Sequence, residues 1–144
     1  LCIHQEQGTA AFRSHYARGL GRPMFRGAAS RIILAHLPAA VLARLHARHA
    51  AEISAAGLGA TLPAMRDALR EMRTRGWDVT EGQVTQGVTG IAAPVLAGGN
   101  EILGSLSVTI GRTGLAEAEL ARIADKVAFS AGIITRALTA NPAY

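Results

Sequence analysis

One cysteine, Cys2, stands in 144 residues, so no disulfide forms within the chain. It lies in the apolar run "LCI", where a lone cysteine behaves as a small hydrophobe. Lysine is as scarce, with Lys126 the only one, so the net charge of +5 rests on arginine. A basic balance raises nucleic acid as a partner. The arginines are dispersed, with no tight run and no interleaved aromatics, which matches compositional bias better than a binding stripe. Arg66, Arg70 and Arg73 recur at helical spacing and read as a solvated face. No apolar stretch is long enough to cross a bilayer, and nothing resembles a signal peptide. Together with the single cysteine, this fits a reducing cytoplasm. There is no G-x-S-x-G elbow, no phosphate-binding loop and no paired carboxylates in one motif. "GLG" at Gly19 to Gly21 is too short to be a nucleotide loop. His4, His15, His36, His46 and His49 are scattered, so no metal site is expected. The reading is of a chain with no cofactor and no enzyme activity.

What is there is a core. Almost half the residues, 49%, are apolar, and the length suits one domain over residues 1–144. The chain opens on Leu1 and is read as a fragment with its upstream part elsewhere. Residues 1–6 and 9–18 predict two strands joined at Gln7-Gly8. "AASRIILAHL" predicts a short helix, and Pro38 opens the next, with Leu42, Leu45 and His49 on one face. "AAGLGA" reads as a hinge. Thr61 caps a third helix with Pro63 in its first turn, Leu62, Met65, Leu69 and Met72 inward, Glu71 paired with Arg75, and Gly76 closing it. "WDVTEGQ" predicts a strand. "GVTGIAAPVL" and "EILGSLSVTI" predict a hairpin across "AGGN", with Pro94 marking an edge position or a bulge. A long helix over residues 115–138 carries Leu120, Ile123, Val127, Ala131, Ile134 and Leu138 at steps of three and four. Hairpin-capable strands without strict strand–helix alternation predict an α+β domain, a central antiparallel sheet flanked by helices.

The informative stretch is "GSLSVTI". Leu106, Val108 and Ile110 alternate with Ser105, Ser107 and Thr109, a half-buried strand with one face of short hydroxyls. Those hydroxyls either face water or line a gap. Ala28, Ala29, Gly90 and Ala92 are small as well. If they converge with Ser107 and Thr109 they leave a concavity with a few orienting polar groups.

Three stretches carry a resemblance. "GLGRPMFRGAASRIILAHL" is similar to the IclR-family step into a small-residue helix. "RGWDVTEGQVTQGVTGIAAPVL" resembles that family's aromatic turn, strand and "G-V-x-C-I-A-A-P-V" strand. "GSLSVTIGRTGL" resembles its strand before the last helix. They occur in family order and spacing, and with the flanking elements cover nearly the whole chain.

The resemblance implies a GAF-like effector-binding domain of a bacterial transcription regulator, acting on an upstream winged helix-turn-helix that this chain does not include. It implies a small organic acid or aromatic metabolite as effector, DNA bound through the other domain, a homodimer or dimer of dimers, and no membrane. Carried over by position, the binding residues are Arg22, Ala28, Ala29, Thr80, Val88, Gly90, Ser107 and Thr109. The amides beside Ala28 and Ala29 are candidates for a carboxylate. Arg22 stands where relatives often carry an aliphatic residue, and either pairs with an anionic effector or points to solvent. Gly90 stands in place of the usual cysteine and enlarges the pocket. Phe25, Ser30 and Gln83 also depart from the pattern. Two other readings remain: an interaction module of this fold with a filled pocket, and a small enzyme, which would need Glu81 and a histidine to meet in a cleft.

Overall fold

The structure is a computed structural model and describes residues 1–8, 18–98 and 101–140. Its elements run α1 (Ala28–Leu34), α2 (Ala39–Ala55), α3 (Leu62–Arg75), β1 (Asp78–Glu81), β2 (Thr89–Leu96), β3 (Ile102–Ile110) and α4 (Glu117–Ala140). The helix signals act as read. Pro38 caps α2. The Thr61 hydroxyl accepts from the Ala64 N–H at 3.3 Å, and Gly76 ends α3 with φ 80°. Glu117 and Glu119 open α4, where carboxylates suit the helix dipole.

The strands form one antiparallel sheet in the order β1-β2-β3. Register puts Thr80 beside Gly90 and Gly90 beside Thr109, and puts Asp78 beside Ala92 and Ala92 beside Ser107. These six residues share one face, because side chains alternate along a strand. On that face lies α1, backed by α2 and α3, with a core of Phe25, Ile32, Leu34, Leu42, Ile53, Leu58, Met65, Leu69 and Ala92. On the other lies α4, where Ala124, Val127 and Ala131 pack on Ile91, Ala93 and Val95, flanked by Leu106 and Ile110. The domain is therefore α+β, with helices on both sides of a central antiparallel sheet.

Several details depart from the sequence reading. Residues 1–6 do not form a strand. Among the described residues, Cys2 alone exchanges backbone bonds with the chain at 19–20 (2.8 and 3.4 Å), and the Ile3 carbonyl accepts from the Arg18 side chain at 2.9 Å. Most of the expected second strand, 9–18, falls outside the described residues. "AAGLGA" is an anchored turn rather than a hinge, since Leu58 is fully buried within it. Arg75 turns from Glu71 to Asp78 and lies over the Trp77 ring. Pro94 is in the middle strand but past the end of β1, with the register shift at Val95/Leu96 next to it, so it is locally at an edge.

Candidate functional site

A cleft opens between the start of α1, the hydroxyl face of the hairpin and the loop joining β1 to β2. Its walls are Gly27, Ala28 and Ala29; Thr80; Gln83, Val84, Thr85 and Val88; Gly90; and Ser107 to Thr109. The small residues have a defined effect here. A Cβ added at Gly90 would lie 3.5 Å from Thr80 Oγ1 and 3.9 Å from Ala28 Cβ, so glycine leaves room for about one methyl group at the cleft floor. The space between these walls is only about 20 Å3, the room of about one water, while Ser107 to Thr109 also wall a wider groove of about 450 Å3 along residues 2–8. The cleft is thus formed but narrow where it meets α1.

Hydrogen bonds across the chain hold it in that state. Thr80 Oγ1 accepts from the Ala28 N–H at 3.1 Å, and Gln83 Oε1 accepts from the Gly27 N–H at 3.1 Å. Gln83 Nε2 donates to the Ala56 carbonyl at 3.4 Å. Ser105 Oγ donates to the Ala29 carbonyl at 3.0 Å, which fixes α1 on β3. The hydroxyl row of "GSLSVTI" therefore splits: Ser105 is a structural tie, and Ser107 and Thr109 line the cleft. The amides of Gly27 and Ala28 already have partners from the protein itself.

Beneath α1 sits a buried carboxylate. The Asp78 side chain is only 3% exposed, 2.9 Å from Arg31 Nε and 3.3 Å from Arg75 Nη2. Burial raises its pKa from the ordinary aspartate value, and the Arg31 charge, the Val79 backbone and Arg75 offset only part of that. Arg31 Nε is close to Oδ2 without hydrogen-bond alignment. The pair is an ion contact, completed by Arg31 Nη1 donating to the Ala56 carbonyl at 3.3 Å. It anchors α1 to β1 and to the end of α2 and does not face the cleft.

Of the eight residues singled out from sequence, Ala28, Ala29, Thr80, Val88, Gly90, Ser107 and Thr109 converge on this cleft. Arg22 does not. It lines an adjoining groove of about 180 Å3 with Leu1 to His4, Ile33 and Ser105, whose wall includes Ala29 and Ser107 as well. Gln83, Val84 and Thr85 were missed. They lie in a loop without periodicity, and Gln83 stood out only as a departure from the family pattern. Glu81 lies on the α4 side, where its Oε1 accepts from the Gly114 N–H at 3.1 Å and lies 3.4 Å from the Thr89 hydroxyl, which donates to the Arg112 carbonyl at 2.8 Å. Its carboxylate meets no histidine among the described contacts. Among the described residues no cluster of His, Cys, Asp and Glu could hold a metal, and no helix is long and apolar enough to cross a membrane.

Comparison with known proteins now carries weight. Residues 1–136 match the family model described as bacterial transcriptional regulator IclR, C-terminal. No curated protein sequence matches. Among solved structures, the C-terminal domain of a transcriptional regulator from Vibrio cholerae superposes with a TM-score of 0.74 at 29% identity, over 92% of this chain and 76% of that one. An IclR-family regulator from Rhodococcus gives 0.77 at 22% identity, over 95% of this chain but 51% of that one. Pseudomonas aeruginosa HmgR gives 0.75 at 23%, over 94% of this chain and 53% of that one. The chain thus spans about half the length of those two longer regulators. With the family model covering 136 of its residues in an α+β fold shared with these domains, the chain belongs to the IclR family of bacterial transcriptional regulators, as their C-terminal domain.

Proposed function

We propose that this domain binds a small effector in the cleft between α1 and the β2–β3 hairpin, and that binding shifts the geometry of an attached winged helix-turn-helix and so its hold on DNA. The observation that carries the reading is the meeting of small residues and hydroxyls in one place. Ala28, Ala29 and Gly90 vacate space, and Thr80, Ser107 and Thr109 surround it. The effector proposed is a small organic acid or compact aromatic metabolite. Its polar group meets the hydroxyls, and Arg22 in the adjoining groove supplies a cation for an acidic end. Val84 and Val88 supply an apolar wall. A ligand that prefers one arrangement of these walls shifts the population by its differential affinity. No covalent step is assigned to any residue, the working place is the cytoplasm, and the assembly is a homodimer or dimer of dimers.

The test is a thermal-shift panel of small carboxylates, benzoates and neutral hydroxylated compounds. At least one class raises the melting temperature of the parent, and Ser107→Val or Thr109→Val abolishes the rise while the far-UV circular dichroism stays unchanged. An unchanged response in both variants removes these residues from the site. The competing reading is an interaction module that binds no ligand, and the narrowness of the cleft beside α1 favours it. A flat response across the whole panel, with a stable oligomer in light scattering, would support it.

A further inference from the structure

Ser107 to Thr109 also wall a wider groove of about 450 Å3 along residues 2–8, but the space between them, α1 and the 82–88 loop holds only about one water, so a metabolite enters that part only where a wall gives way. Three walls are firmly held. β2 and β3 are paired from Thr89 to Leu96. α1 is held by Thr80, by Ser105 and by the buried Arg31–Asp78 pair. The fourth wall is the loop from Gly82 to Val88, and it is held differently. Its base is closed by the Gly82 N–H bond to the Val88 carbonyl at 2.9 Å. Near either end stands a glycine with positive φ, Gly82 at 65° and Gly87 at 75°, a conformation that gives the backbone pivots other residues rarely provide. Between the pivots, Gln83 ties the loop to the start of α1 and the end of α2. Its Oε1 accepts from Gly27 and its Nε2 donates to Ala56, at 3.1 and 3.4 Å, both part-buried neutral hydrogen bonds of small net strength.

We infer that Gln83 is the latch of the cleft: when its bonds to Gly27 and Ala56 break, the 83–87 segment turns on its glycines and the cleft opens. This rests on the cleft being the effector site, and adds how that site is entered. It also gives opening a route outward. The Ala56 carbonyl ends α2 and is shared by Gln83 and Arg31. When the loop leaves, this carbonyl keeps Arg31 and loses Gln83, so the turn between α2 and α3 changes partners with the state of the cleft.

Accessibility tests this without any effector. Cys2→Ser removes the native thiol, and Ala28→Cys places one on the cleft wall, at a residue only 2% exposed. The probe is methyl methanethiosulfonate. Adding Gln83→Leu accelerates modification of the new thiol about tenfold or more, as expected for losing two neutral hydrogen bonds. Equal rates with and without Gln83→Leu overturn the latch. Amide exchange by NMR keeps the test independent of the new thiol and of global unfolding. In the chain without substitutions, the Gly27 N–H, bonded to Gln83, exchanges faster than the Ala28 N–H, bonded to Thr80. Gln83→Leu strips protection from Gly27 and leaves Ala28 protected. Exchange of both amides together, in the parent and in Gln83→Leu, would place Gln83 in the rigid frame and sink the proposal. A flat effector panel would count against the effector reading but not against these rates.

Discussion

The two faces of the sheet are built from the same three strands and solve opposite problems. Toward α4 the strands present Ile91, Ala93, Val95, Leu106 and Ile110 to an apolar helix stripe. Thr89, the buried polar residue on that side, is satisfied by the Arg112 carbonyl at 2.8 Å. Toward α1 the alternate positions are Asp78, Thr80, Gly90, Ala92, Ser105, Ser107 and Thr109. The first face excludes water by packing. The second carries polar groups that must each find a partner, because an unpaired buried polar group costs more than a lost contact. An apolar face needs only the right volume and tolerates no gap. A polar face held by discrete bonds admits a gap, and a binding site needs one.

Substitutions on each side sharpen that contrast. The largest effect is expected from Arg31→Leu, which leaves Asp78 buried beside the partly exposed Arg75. The loss is about 3–5 kcal/mol in urea titrations at neutral pH, the cost of removing one partner of a buried pair. The loss shrinks as the pH falls. Asp78 already has a raised pKa in the folded chain, so the native state takes up its proton before the unfolded state does. The contribution of this group to stability therefore rises as pH falls through its folded pKa and is complete below the unfolded value. A deficit in Arg31→Leu that stays constant from neutral pH into the carboxylate range would mean Asp78 is not the group responsible.

Next is Ile91→Ala on the α4 face, a fully buried side chain, expected to cost about 2–5 kcal/mol with no pH signature. Above its lowered melting range the domain is lost, and below it the effector-induced shift is retained. If Ile91→Ala abolished that shift, the two faces would not be separable. Thr80→Val keeps the shape but leaves the Ala28 N–H without its acceptor, at about 1–3 kcal/mol, read by chemical denaturation. The smallest effect on stability is expected from Ser107→Val, within about 0.5 kcal/mol because the residue is exposed at the cleft edge. The same change removes the effector response. A variant that leaves stability untouched and silences binding is the clearest sign that the polar face serves the ligand.

The helices were legible because their signals are local. Thr61, Pro63 and Gly76 bracket α3, and Pro38 starts α2, through steric and capping rules that act within one turn. The β2–β3 pairing was legible from alternation in "GSLSVTI", while part of the expected "AGGN" turn, residues 99–100, falls outside the described residues. Residues 1–6 were misread for a related reason. "LCIHQE" has strand-like composition, but a strand exists only where a neighbour supplies a ladder, and among the described residues Cys2 alone is paired, with the chain at 19–20. Glu71 and Arg75 fit helical pairing by spacing, yet the buried Asp78 carboxylate, close to Arg75 in space, claims the guanidinium.

The sequence alone determined which residues are small, which alternate and where helices begin and end, because these follow from sterics and periodicity over a few residues. That sufficed for the α+β class and for the small and hydroxyl residues of the cleft, Ala28, Ala29, Gly90, Ser107 and Thr109, while Thr80 and Val88 came from the family resemblance. Only the tertiary structure decided what each polar group bonds to. Thr80 meets Ala28 across 52 residues, Gln83 meets Gly27 across 56, and Ser105 meets Ala29 across 76. No local pattern encodes a partner that distant, since the pairing exists only once the sheet has brought α1, the loop and β3 together. For the same reason Gln83, unremarkable in its loop, proved to tie that loop to α1 and α2, and Arg22, close to α1 in sequence, came to line the groove beside the cleft.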